Sequence, residues 1–253
     1  MRWYKADLHI HSVLSPCGSL EMAPKALMKK VKEVGLDIIA ITDHNSMSNC
    51  LAYQQVAKEF DITCVYGVEV QSAEEIHVIV LFDDWHKANG FASELYDSLL
   101  PIDNDPDYFG DQVVINSSEE IVRFEERALI NSSMWSFDQV IDYVQNYDGF
   151  MFPAHVDAVS YSIIGQLGFV PSQKEIFALG LTAKCDVKSF LEQNEYLKDY
   201  CFIQNSDAHY LNQIGSAYTE FFLEAPTVSE IKKACLKQAD RKIRLRLANK
   251  ENN

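Results

Sequence analysis

The chain has no apolar run near the roughly 20 residues that a membrane-spanning helix requires. Its opening, Met1-Arg2-Trp3-Tyr4-Lys5, leads straight into Ala6-Asp7-Leu8-His9 and lacks the apolar stretch of a secretory leader. The expectation is a cytoplasmic protein with no membrane partner, in which the Asn-x-Ser triplets at Asn116 and Asn131 do not act as glycan sites. There is no C-x-x-C pair and no regular spacing among Cys17, Cys50, Cys64, Cys185, Cys201 and Cys235. That argues against a disulfide framework and for buried thiols, Cys17 excepted. Basic residues are scarce too: 22 Lys and Arg face 37 Asp and Glu, a net charge of −15. Duplex nucleic acid normally meets a basic face, so it is excluded as a partner at this stage. Small phosphorylated ligands are not, because bound metals invert the charge of a site.

What the chain does have is alternation. Internal repeats and low-complexity stretches are missing, and short apolar runs alternate with helical patterns, the mark of an α/β domain. Strands are expected at 6–10, 37–42, 63–70, 77–82, 149–154, 176–180 and 201–205. The first helix starts near Pro24, carries Leu27, Val31 and Val34 on one face and stops at Gly35. Further helices are expected at 48–60, 137–146, 187–193 and 229–236. The rhythm breaks between Asp83 and Ser136, where 100–107 reads as loop and 118–129 as a surface helix. One domain over 1–247 is expected, with an insertion at about 84–135 and a disordered tail at 248–253.

Six of the seven histidines sit in distinctive local settings, nearly all where a strand ends. Asp7-Leu8-His9-Ile10-His11 puts His9 and His11 on one side of an extended chain. Asp43 and His44 follow Ile38-Ile39-Ala40-Ile41-Thr42, and Glu69 ends the next run. His155 follows Phe150-Met151-Phe152-Pro153-Ala154, and Asp207 and His209 follow Cys201 to Ser206. In barrels of parallel strands the functional groups gather at the strands' C-terminal rim. One histidine so placed is ordinarily structural. Many imidazoles and carboxylates buried together need a neutralising partner, and metal ions supply it. His77 begins a strand instead, but too few residues separate it from Glu69 for a parallel crossover. A hairpin is therefore expected, which returns His77 to the end where Glu69 lies. His86 falls outside every cluster and is left out.

The pieces Asp7-Leu8-His9-Ile10-His11-Ser12, Thr42-Asp43-His44-Asn45, Gly67-Val68-Glu69, His77, Pro153-Ala154-His155 and Ser206-Asp207-Ala208-His209 resemble, in order, the motifs of the PHP (polymerase and histidinol phosphatase) family. The resemblance spans 5–210 and points to the stand-alone phosphoesterases of that family. It implies a distorted seven-stranded (β/α) TIM-like barrel, with the insertion between its fourth and fifth strands. It also implies two or three divalent metal ions, commonly zinc, manganese or iron. By the same resemblance His9, His11, Glu69 and Asp207 hold the first metal, and Glu69 bridges to a second completed by His77 and His155. His44 and His209 hold the third, for which Cys17 is the candidate extra ligand; a thiolate there would favour zinc or iron. The alternative for Cys17 is a small residue packed in a Gly-Pro turn.

Asp7 and Asp43 are expected to accept hydrogen bonds from ligand histidines, or, for Asp43, to touch a metal. Together with Glu69 they form the expected catalytic set. Two ions roughly 3.5–4 Å apart can share a hydroxide and hold phosphoryl oxygens. The implied activity is hydrolysis of a small phosphomonoester, nucleotide or short oligonucleotide, with Arg123, Arg127 and Lys184 as candidate substrate charges. Two alternatives stand beside it: a metal-holding module without activity, and hydrolysis of a non-phosphate bond such as an amide.

Overall fold

The computed structural model describes residues 1–172 and 175–246. In chain order the elements are β1 (Arg2–Ile10), α1 (Pro24–Val34), β2 (Ile38–Ile41), α2 (Cys50–Glu59), β3 (Thr63–Gln71), β4 (His77–Phe82) and α3 (Trp85–Asp97). Then come α4 (Pro106–Phe109), β5 (Val113–Ile115), β6 (Ile121–Phe124), α5 (Phe137–Asn146), β7 (Phe150–Pro153), α6 (Ile163–Leu167) and β8 (Ala178–Leu181). The last are α7 (Val187–Gln193), β9 (Cys201–Gln204), β10 (Tyr218–Leu223), α8 (Val228–Cys235) and β11 (Lys242–Arg246). No helix among the described residues is long and apolar enough to cross a membrane. The expected tail at 248–253 lies outside the described residues.

All seven expected strands form, but they do not make one sheet. Five of them join β10 and β11 in a curled seven-stranded sheet of order β11-β10-β1-β2-β3-β4-β7. β8 and β9 form a separate parallel pair that spans the remaining side. Val156 N–H, just after β7, donates to Gly180 O at 2.8 Å, and Ile10 bridges Ala208 beyond β9. β10 lies outside the expected strands because Glu220 breaks its apolar run; Glu220 is buried in an ion pair with Arg244 of β11. The expected surface helix at 118–129 is instead β6, paired in a hairpin with the preceding β5, followed by loop. All four residues of β6 are exposed, two of them β-branched, so a strand on a partner edge is the better fit. Within the stretch read as a break, α3 buries Ala88, Phe91 and Leu95 in the same core cluster as β3 and β4.

Sheet pleat sorts the core. Tyr4, Ala6, Leu8, Ile38, Ala40, Val65, Ile79, Leu81, Phe150 and Phe152 face inward, where α8 adds Ile231 and Ala234. The opposite face packs Ile39, Ile41 and Cys64 under α1 and α2. β1 breaks the alternation once. Its pairing with β2 shifts register between Asp7 and Ile10, so one extra residue is taken up there. Leu8 can then stay in the inner core while His9 and His11 also turn inward, and Ile10 keeps the outer face. Bulges re-aim side chains in this way beside active sites. Gly67 of β3 is held to hydrogen by crowding: a Cβ would meet Thr42 Cγ2 at 2.8 Å and Ile41 O at 3.0 Å.

Phe152 is fully buried in the inner cluster. Phe152→Ala should cost about 3–5 kcal/mol, read as a lower urea midpoint at an unchanged slope. A loss below about 1 kcal/mol would mean that the inner face is not the tightly packed core described.

Candidate metal centre

β3 and β4 pair antiparallel with Gln71 opposite His77, as the short spacing requires. Glu69 and His77 therefore meet at one end of the sheet, with Oε1 2.9 Å from Nδ1. Glu69 is 1% exposed, and four more histidines close on it. His9 Nε2 lies 3.2 Å and His155 Nε2 3.4 Å from Oε1; His11 Nε2 lies 3.3 Å and His44 Nδ1 3.1 Å from Oε2. Asp207 Oδ1 comes within 3.2 Å of His9 and 3.3 Å of His11. His209 stacks on His11 with ring centroids 4.2 Å apart. Cys17 is exposed overall, but its sulfur joins donor atoms of His11, His44 and His209, all within 4.8 Å of one another. The other five cysteines are buried free thiols. His86 is exposed on α3, away from the cluster.

Neighbours fix which ring nitrogen each histidine presents. Ser15 Oγ–H donates to Asp43 Oδ1 at 2.7 Å, so it accepts from His11 Nδ1–H at 2.9 Å and leaves His11 Nε2 bare. Gln71 uses its amide N–H on Ser132 Oγ, so its Oε1 accepts from His77 Nε2–H at 3.2 Å and frees His77 Nδ1. His209 Nδ1–H donates to the Asp207 carbonyl at 2.8 Å, which frees Nε2. Such partners orient metal-ligating imidazoles. Sequence reasoning named neither Ser15 nor Gln71.

The two outer aspartates act differently from expectation. Asp43 reaches His11 only through Ser15; it also accepts from Ser12 N–H at 2.7 Å and Ser12 Oγ–H at 2.6 Å. Asp7 accepts from the N–H groups of Ser206 (3.0 Å) and Gly215 (3.4 Å), and so holds the loop that carries Asp207. Both anchor loops through the backbone rather than orient an imidazole directly. Burial pushes Asp7 up to about 6 against those bonds, and raises Asp43 in the same way. His155 (φ 31°) and Asp207 (φ 53°) sit in the left-handed region, which costs side-chain-bearing residues about 1–3 kcal/mol and gathers at functional sites.

Charge decides what the cluster can hold. Burial would raise Glu69, but His77, His9 and His44 around it hold it well below the usual carboxylate range. Burial would lower His9 and His11, yet Asp207 and Glu69 raise both. Burial depresses His44, and with help from His11 brings His209 down to about 4, so both are neutral donors at ordinary pH. His44 Nδ1, Glu69 Oε1 and His155 Nδ1 are buried without a hydrogen bond among the described residues. Donor atoms that converge without bonding one another are what a shared cation satisfies. Three groups have ion-binding spacing: His9, His11 and Glu69; His44, Glu69 and His77; and His11, Cys17, His44 and His209. The residues therefore fit divalent ions, with His44 reaching toward two of the groups.

The model of the PHP domain family matches residues 7–216. The chain belongs to the PHP domain family. A second family model, PHP-associated, matches 198–238. Among curated relatives, the uncharacterized YqxK of Bacillus subtilis is 35% identical over 107 residues, 40% of this chain and 27% of YqxK, so the match spans about a quarter of that relative. The lesion-specific endonuclease Q of Pyrococcus furiosus shares the PHP fold at 17% identity and a TM-score of 0.69, over 95% of this chain and 57% of that one. A candidate metal-dependent phosphoesterase of Bifidobacterium adolescentis shares it at 16% identity and a TM-score of 0.57, over 93% and 96% of the two chains.

One expectation falls here. Duplex nucleic acid was excluded on net charge, yet endonuclease Q of the same fold is known in complex with a 27-mer duplex carrying an abasic lesion at its active site. Whole-chain charge is a poor guide to the surface around a PHP site, where bound cations invert the sign. Of the candidate substrate charges, Arg127 is committed to the Tyr96 carbonyl (2.9 Å) and ring, and Arg123 to Glu125 (2.6 Å).

The group containing Cys17 gives a pH test. Burial of the thiol pushes it up to about 11. An ion bound there must displace that proton, so its affinity should rise up to about tenfold per pH unit below 11. Cys17→Ser should weaken one ion while leaving the others, and Cys17→Asp should recover more of it than Ser does. Titration followed by elemental analysis checks both. A harmless Ser beside a damaging Asp would make Cys17 a packing residue.

Proposed function

We propose that the chain is a metal-dependent phosphoesterase acting on a phosphomonoester, nucleotide or oligonucleotide with two or three divalent ions of zinc, manganese or iron. His9, His11, Glu69 and Asp207 would hold one ion. Glu69, His77 and His155 would hold the second, with His44 beside them, and His44, His209 and Cys17 the third. When bound, such ions supply a nucleophile from water at neutral pH and positive charge against phosphoryl oxygens. The rest falls to the chain itself. Ser15, Gln71 and the Asp207 carbonyl keep His11, His77 and His209 in the ligating tautomer. Asp7 and Asp43 hold the loops on either side of the centre. A cavity of about 320 Å³ over the cluster, walled by Ile130, Ala158 and Tyr161, would admit a phosphate and limit water. Ile130 comes from the segment at about 84–135, which in this reading forms part of the wall.

The observation that carries the reading is one buried carboxylate with five imidazole nitrogens within 3.4 Å, where Glu69 Oε1 and His44 Nδ1 have no hydrogen bond among the described residues. The family and the phosphoesterase and endonuclease of like fold support it.

Glu69→Gln should lose more than one equivalent of metal. Its turnover should fall by at least about 100-fold, since even groups that only support ligands cost about 10–100-fold. Wild type loaded with each metal should be screened on phosphomonoesters, single-stranded oligonucleotides, duplexes with and without an abasic site, peptides and lactones. Turnover confined to peptides or lactones would overturn the proposal. Tight metal binding with no turnover would leave an inactive metal-holding module.

A further inference from the structure

Five strand ends and the start of β4 bring metal-donor residues to the rim. The end of β8 does not: it delivers Thr182-Ala183-Lys184. This corner is firmly built. Asp157 accepts from Thr182 N–H at 2.8 Å and from its hydroxyl at 2.6 Å. The Thr182 carbonyl accepts from Gln204 Nε2 at 2.9 Å and from Cys185 N–H at 3.2 Å, closing a turn with Lys184 on it. Lys184 is exposed and has no ion pair or hydrogen bond among the described residues.

Lys184 borders a groove of about 650 Å³ that shares Thr182 and Asp207 with the cavity over the cluster, so the two lie side by side. Asn212, Gln213 and Ser216 line its far side. Gln213 spends its Oε1 on the N–H groups of His209 and Tyr210, which leaves its amide N–H groups for a ligand. Apart from Asp207, which faces the cluster, Lys184 is the only charged residue lining the groove among the described residues. With Lys184 uncommitted among the described residues and neutral hydrogen-bond donors across from it, that part of the groove favours an anion. A monoester bound at the cluster carries no second phosphate to place there.

We infer that this groove is a subsite for the phosphate next to the scissile one on a nucleotide strand, with Lys184 as its cation and Asn212 and Gln213 as neutral donors. This rests on the phosphoesterase reading for the scissile step, but binding in the groove does not require that step. The natural substrate would then be a strand that continues past the metals, in preference to an isolated monoester.

The test compares wild type, Lys184→Ala and Lys184→Arg, all metal-loaded. Binding of a 5′-labelled single-stranded tetranucleotide is followed by anisotropy over a salt series, and hydrolysis of the tetranucleotide and of p-nitrophenyl phosphate is measured in parallel. Lys184→Ala should weaken tetranucleotide binding about tenfold and lower the log–log salt slope by about 0.7, as expected for one lost contact to single-stranded phosphate. Lys184→Arg should restore most of both, and KM for p-nitrophenyl phosphate should not change. Equal tetranucleotide affinity and salt slope in all three proteins would overturn the inference, as would parallel loss on both substrates. If neither substrate turns over but the binding difference holds, the subsite stands and the phosphoesterase reading falls.

Discussion

The structure turns on the burial of Glu69. A carboxylate at 1% exposure is costly unless charge is returned to it, and here five imidazoles surround its two oxygens. Neutral imidazoles repay little of that cost, and His9 and His11, which Asp207 and Glu69 push toward the charged form, crowd one another at 3.2 Å. A pair of divalent ions would bring more charge to the cluster with fewer conflicts. Every nearby feature follows from keeping the donors in place for them.

The fold meets that demand with three local devices. The β3–β4 hairpin carries the chain back so that His77 faces Glu69. The register shift in β1 turns His9 and His11 inward without taking Leu8 out of the core. Left-handed backbone at His155 and Asp207 lets two strands end abruptly at the rim. Asp7 and Asp43, buried at the two flanks, tie the connecting loops to β1 and β2. The result is a rim in which His11 and His77 are each oriented by a neighbour, Ser15 and Gln71, that is not one of the expected ligands.

Much of this could be read from the sequence, because strand ends and histidine spacing are local. The seven expected strands are all present, and the Glu69–His77 hairpin followed from the length of the link alone. What could not be read depends on distant partners. β10 looked too polar until Glu220 met Arg244. The stretch at 118–129 looked helical by its charges, although β5 supplied an edge for a strand. Ser15 and Gln71 are ordinary residues whose roles exist only through Asp43 and Ser132. Lys184 was visible as a cation, but only the turn at the end of β8 and the shared groove distinguish it from Arg123 and Arg127. The exclusion of duplex DNA failed for a related reason: net charge averages a surface whose chemistry is concentrated at one site.

The central claim is that Glu69 joins two ions in one cluster. X-ray absorption at the metal edge of the reconstituted wild-type protein tests it most directly. The account predicts a metal–metal vector at roughly 3.5–4 Å with nitrogen and oxygen ligands, as in paired-ion hydrolytic sites. A fully loaded protein whose spectrum shows isolated ions and no such vector would contradict it.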